Sequence, residues 1–276
     1  MKFKYLAAVT LLWPLAAMAQ PLEPRVTPVS KPAIKKINPS KIILVGDSTT
    51  AVIGGWGPSF CGYHVSSFAN CVNLARGGRS SRTYIEEGSW DVALNEMRTP
   101  GYSKVWVLIQ FGHNDQPGTD RATNLETEFP GYIRQYVREA RAAGAVPILV
   151  TPLTRRAFEG TKHVNSLAPW AQAVRRIAAE MQAPLIDLNA DSARAVQSMG
   201  QEAADRFAQL PRGVEPTGRT QPEKKPGEPL PTLVPKLSFD DTHLGREGAD
   251  YFANMVAGEL ALAVPDMRPL LVLKQP

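Results

Sequence analysis

Short, unbroken apolar runs recur along this chain with helical patterns between them, and that alternation limits the fold more than any other feature. Lys41-Ile42-Ile43-Leu44-Val45-Gly46 is the first run; Cys71–Leu74, Val105–Phe111, Val146–Thr151 and Pro184–Leu188 follow. A strand with one wet face alternates apolar and polar residues, so continuous runs of this length indicate strands covered on both faces, as in a parallel sheet. Between them, Ser80–Met97 carries Tyr84, Ile85, Val92 and Leu94 among polar residues. Leu125–Ala143 carries Phe129, Ile133, Tyr136 and Val137 at helical spacing and stops at Gly144. Val164–Met181, Ala190–Phe207 and Leu244–Ala263 continue the alternation. The pattern predicts one α/β domain in three α/β/α layers around a parallel five-stranded sheet.

The flanking segments read differently. Lys2 and Lys4 precede an apolar run from Leu6 to Ala17, and Ala17-Met18-Ala19 offers a small-x-small cleavage site. Residues 1–19 therefore read as a secretory signal peptide, too short in its apolar part to span a bilayer. The expectation is an exported protein, periplasmic or secreted, with no membrane partner once the leader is cleaved. Residues 20–40 are rich in Pro and Lys and read as a tether, and the domain proper is expected over 41–276. Within it, 211–235 is dense in Pro, Gly, Lys and Glu and reads as one long loop. The formal charge of +5 includes two leader lysines, and no Lys/Arg-rich run suggests a nucleic-acid partner. Cys61 and Cys71, close together in an exported chain, predict a structural disulfide. Two Cys and nearby His64 supply too few ligands for a usual metal site.

Four short motifs lie at predicted strand ends, where ligands of α/β proteins bind. Gly46-Asp47-Ser48 follows the first strand, placing a hydroxyl where it could head the next helix; N-capping is the bland alternative. Gly77-Gly78-Arg79-Ser80 follows the second strand, where glycine lets backbone N–H approach a ligand. Gly112-His113-Asn114-Asp115 follows the third strand, and an Asn amide there can donate to an oxyanion. Asp240-Asp241-Thr242-His243 offers an imidazole base with a carboxylate three positions away. A serine hydroxyl needs such a base, and the base needs a carboxylate to fix its tautomer. His64 and His163 have no partner signal and read as structural, and Asp47 reads as a hydrogen-bond acceptor.

In this order the four motifs resemble the blocks of the SGNH (GDSL-like) hydrolases, over essentially the whole domain. The resemblance implies a flavodoxin-like sheet and a catalytic triad with no cofactor or metal. Ser48 would be the nucleophile, His243 the base and Asp240, rather than Asp241, its partner. Ser48 N–H, Gly78 N–H and the Asn114 side chain would form the oxyanion hole. Within the family the chain is most similar to rhamnogalacturonan acetylesterases, through Gly46-Asp47-Ser48-Thr49, Gly54-Gly55-Trp56-Gly57, Gly78–Tyr84, Phe111–Asp115 and Thr151–Arg156. The Pro-rich loop departs from the compact members. The implied substrate is an acetylated polysaccharide or oligosaccharide. Arg79, Arg82, Arg155 and Arg156 become candidates for pairing with its carboxylates and Trp56 for stacking on a sugar ring. A lipid esterase or thioesterase, xylan or peptidoglycan deacetylation, and a non-catalytic glycan-binding module are the alternatives. The rim, rich in Gly, Ser, Thr and Arg, does not suit an apolar acyl groove.

Overall fold

The computed structural model describes residues 37–210, 212–214 and 239–273. The expected leader, most of the tether and nearly all of the Pro-rich loop lie outside the described residues. Strand β1 (Ser40–Gly46) is buried at every position. Its side chains alternate between two apolar clusters: Ile42 and Leu44 enter one, Ile43 and Val45 the other. That is why its sequence is continuously apolar. Burying each such side chain contributes ~1.5–3 kcal/mol.

Strands β2 (Ala69–Asn73), β3 (Val105–Gln110), β4 (Val146–Val150) and β7 (Leu185–Ile186) complete one five-stranded sheet in the order β2-β1-β3-β4-β7. Every neighbouring pair in it is parallel. The intervening β5 (Phe158–Glu159) and β6 (Lys162–His163) form a separate antiparallel hairpin. Helices α1 (Gly57–Tyr63), α6 (Leu188–Asp205) and α7 (Arg246–Ala263) feed residues into the first cluster. Helices α2 (Thr83–Glu86), α3 (Ser89–Arg98), α4 (Glu128–Ala142) and α5 (Ala168–Glu180) feed the second. The predicted three-layer, flavodoxin-like architecture is present.

Several element boundaries differ from expectation. The helix predicted over Ser80–Met97 is two helices, because Gly88 sits between them at φ 81°. Its core face is Trp90, Ala93, Leu94 and Met97, while Val92 is exposed. The segment starting at Val164 becomes helical only at Ala168, Val164 itself donating its N–H to the Ala157 carbonyl (2.9 Å) beside the hairpin. Helix α6 is kinked at Gly200. The fifth strand shrinks to the two residues that pair with Leu149 and Val150. Helix α1 was not predicted; it carries Cys61, whose sulfur is bonded to Cys71 of β2 across a Cα–Cα distance of 5.4 Å.

The sheet order positions the site. From β1 the chain turns to β2 on one side, then crosses back to β3 on the other. The gap beyond the carboxyl ends of β1 and β3 is thus a topological switch point. Gly46 pairs with Gln110, so Asp47-Ser48 and Phe111–Asn114 leave the sheet side by side.

Candidate active site

No regular helix follows Ser48, contrary to expectation. Residues 47–51 make a single turn, with the N–H groups of Thr50 and Ala51 donating to the Asp47 carbonyl, and α1 begins only at Gly57. Side chains hold this turn. Asp47 is fully buried, and its Oδ1 accepts from Thr49 N (2.9 Å) and Thr49 Oγ1 (2.8 Å). Burial pushes this carboxyl up, but the adjacent His113 ring and the Thr49 donors outweigh that and hold it below the usual range. Gln110 at the end of β3 donates to Thr49 Oγ1 (2.6 Å) and accepts from Trp56 Nε1 (3.0 Å). This buried network fixes the Ser48 turn to the central strand. Ser48 itself is half-buried, and its hydroxyl has no hydrogen-bond partner among the described residues.

The Asp240–His243 loop is the second component. Asp240 Oδ2 lies 2.9 Å from His243 Nδ1, while Oδ1 accepts from the backbone N–H of Thr242 (2.8 Å) and His243 (2.6 Å). Partial burial of Asp240 works against ionisation, but these donors prevail and bring its pKa down to about 2. The hydrogen bond to Asp240 in turn raises His243 above the ordinary histidine value. The Asp241 carboxylate accepts instead from Thr242 Oγ1 (3.0 Å), so Asp240 is the acid against the ring. Arg156, fully buried, donates to the carbonyls of Asp240 (2.9 Å), Thr242 (3.3 Å) and His243 (2.9 Å). Gly54 joins this loop to the Ser48 segment: its carbonyl accepts from Leu244 N (2.8 Å). A side chain there would start 3.2 Å from His243 Cδ2, and φ is already 87°. Only glycine suits that position.

The third component is a set of donors. Neither Ser48 N–H nor Gly78 N–H has an acceptor among the described residues. Arg79 Nη1 donates to the Gly77 carbonyl (2.7 Å). A trans peptide points its C=O and N–H in opposite directions, so this anchor turns the Gly78 N–H away from Arg79. Gly78 adopts φ 80°, and its own carbonyl accepts from Arg121 (3.1 Å). A Cβ on Gly77 would lie 3.6 Å from Ser48 Cβ, which places this turn beside the serine. Asn114 Nδ2 commits one hydrogen to the Arg79 carbonyl (3.0 Å) and retains the other. Behind it, fully buried Asp115 accepts from Ser81 N (3.1 Å), Ser81 Oγ (2.6 Å) and Thr123 Oγ1 (2.9 Å), and burial raises its pKa to about 6.

Residues 44–251 match the GDSL-like lipase/acylhydrolase family. The chain belongs to this family of carboxylic ester hydrolases. It is 30% identical over 224 residues to the probable rhamnogalacturonan acetylesterase YesY of Bacillus subtilis (strain 168), covering 78% of this chain and 90% of that one. It is 31% identical over 239 residues to the rhamnogalacturonan acetylesterase RhgT of the same organism, covering 83% and 94%. Among solved structures, Bacillus subtilis protein YxiM shares the fold with a TM-score of 0.61 at 24% identity. That match covers 82% of this chain but only 57% of the longer YxiM chain.

Within this GDSL-like chain, the expected sugar-facing residues need correction. Trp56 is wholly buried, packs edge-on against Phe60 and donates to Gln110, so no face of its ring can stack on a sugar. Arg79 is committed to Glu87 (2.9 Å) and to the Gly77 carbonyl, and Arg82 pairs with Glu86 (2.8 Å). Arg156 faces carbonyls inside the protein. Arg155 differs in having only neutral hydrogen-bond partners. His64 and His163 are structural as expected: His64 Nδ1 meets the Val272 carbonyl (2.9 Å), and His163 Nε2 meets the Arg155 carbonyl (2.8 Å). Gln110 and Arg156 carry much of the site's rigidity. Gln110 gave no signal beyond being polar in an apolar run, which in retrospect marks a buried hydrogen bond.

Proposed function

We propose that this chain is an exported serine acetylesterase removing O-acetyl groups from a cell-wall polysaccharide, with acetylated rhamnogalacturonan as its substrate. The observation that carries the chemistry is the Asp240–His243 pair, whose loop is tied through Gly54 to the Ser48 segment, together with Ser48 N–H and Gly78 N–H left without acceptors among the described residues. The substrate assignment rests on the names of the two bacterial relatives and the polar rim. The signal-like leader and the Cys61–Cys71 bridge favour export.

In this reading Ser48 Oγ attacks the acetyl carbonyl carbon while His243 Nε2 takes its proton. The carbonyl oxygen gains negative charge and is met by Ser48 N–H, Gly78 N–H and Asn114 Nδ2. The ester C–O bond then breaks, and His243 returns its proton to the departing sugar hydroxyl. Water attacks the acetyl-serine with the same histidine as base, releasing acetate and restoring Ser48. Ser48 Oγ makes no hydrogen bond to His243 here, and such catalytic hydrogen bonds often form only when substrate arrives.

Acetate release from acetylated rhamnogalacturonan, acetylated xylan and a chromogenic acetate tests this directly. The expected result is fastest release from rhamnogalacturonan, with Ser48→Ala lowering kcat by at least ~10³-fold on every substrate. Faster release from xylan would remove the substrate assignment. Activity that survives Ser48→Ala would remove the mechanism.

A further inference from the structure

Of the four arginines expected to face substrate carboxylates, Arg79, Arg82 and Arg156 are accounted for by Glu87, Glu86 and internal carbonyls. Arg155 is held by neutral groups alone. Its Nε donates to Thr242 Oγ1 (3.2 Å), and its Nη1 donates to Gln116 Oε1 (2.5 Å) and Ser166 Oγ (3.0 Å). Those partners come from three different segments, so the guanidinium plane is fixed in place before any ligand arrives. Both Nη2 hydrogens lack an acceptor among the described residues, and no carboxylate among them forms an ion pair with Arg155. The nearest acid in the network, Asp241, is one hydroxyl away, because Thr242 Oγ1 donates to it while accepting from Arg155. Partial burial strips this cation of hydration, and the carboxylates of Asp241, Asp47 and Asp240 offset that only through space, none of them in an ion pair with it.

We infer that Arg155 forms an anion subsite that takes a carboxylate of the substrate, carried on a sugar next to the acetylated one. Position supports the pairing. Thr242 immediately precedes His243, and Gln116 lies two residues beyond Asn114, so the guanidinium bridges the loop of the proposed base and the loop of the proposed oxyanion donor. A guanidinium with a free edge binds carboxylate through charge-assisted hydrogen bonds, and a rigid one loses little entropy in doing so. Neutral acetylated glycans cannot use this contact, so the subsite selects uronate-bearing polymers. The inference rests on the polysaccharide reading above for its ligand but not for its measurement.

The test is equilibrium binding by calorimetry of an unacetylated galacturonic acid oligomer and of the same oligomer with its carboxyls reduced to alcohols. The parent protein is expected to bind the charged oligomer about tenfold more tightly. Arg155→Gln should abolish that preference with the affinity for the reduced oligomer kept, and Arg155→Lys should retain part of it. If Arg155→Gln melts before binding can be measured, the parent's preference must still shrink as salt rises from about 0.05 to about 0.5 M. Equal affinities in the parent, binding of neither oligomer, or an unchanged preference in Arg155→Gln would overturn the subsite. The two proposals separate cleanly: charge-selective binding without acetate release sinks only the esterase reading, and acetate release without charge selectivity sinks only the subsite.

Discussion

Asp240 uses its two oxygens differently, one for the His243 ring and the other for the backbone N–H groups of Thr242 and His243. The carboxylate therefore shapes the loop that presents the base as well as orienting the base. Because the pairing raises the His243 pKa, the neutral form needed to accept a proton is reached only above the ordinary histidine value of ~6.5. A profile of kcat/KM against pH should show an acid limb with its midpoint above that value. Asp240→Asn removes the charge that raises the pKa, so the limb should move to lower pH while kcat falls by ~10³–10⁴-fold. A limb that stays in place would detach Asp240 from the base. The linkage for Asp240 has the opposite sign. With its pKa depressed to about 2, it contributes stability above the ordinary carboxylate range and loses it as pH falls through about 2. Acid thus loosens this loop through the carboxylate, whose main partner is His243.

At the scale of elements, what the sequence disclosed depended on whether one residue type had one structural use. Ile42 to Val45 had only one: apolar side chains on both faces of a strand need cover on both sides, and the sheet followed. Trp56 had two, since an aromatic in a glycine-rich loop beside a reactive serine suits stacking or packing equally, and its burial was set by distant Gln110. Gly88 lies inside the segment predicted as one helix, and its φ of 81° is invisible until its neighbours are placed. Arg156 was legible as a charge but not as an internal brace, because its partners lie 84 to 87 positions away. That brace predicts a specific failure. Arg156→Met leaves three carbonyls without their donor and should cost ~1–3 kcal/mol in a denaturation midpoint. Its kcat should fall by more than the unfolded fraction explains, because the His243 loop loses its anchor. Retained kcat in the folded fraction would show that the brace serves stability alone.

The whole molecule is closed by contacts that tie its flanks to the central strands. The Cys61–Cys71 bond joins α1 to the edge strand β2 across a sequence separation of 10. Closing so short a loop is worth ~2–3 kcal/mol through the unfolded state, so Cys61→Ser/Cys71→Ser should lower Tm by roughly 5–10 °C. Activity per folded molecule should not change, because neither sulfur touches the site. A fall in kcat on losing the bridge would place α1 in the catalytic geometry. The last helix, α7, packs into the same apolar cluster as β1, and the chain meets in space only after both ends are made. During synthesis Ser48 leaves the ribosome almost a full domain ahead of His243, and the helix that completes the core follows the imidazole directly. A prematurely terminated chain therefore lacks at one stroke the imidazole and the helix that covers one face of β1, so its hydroxyl is unarmed and its core left open.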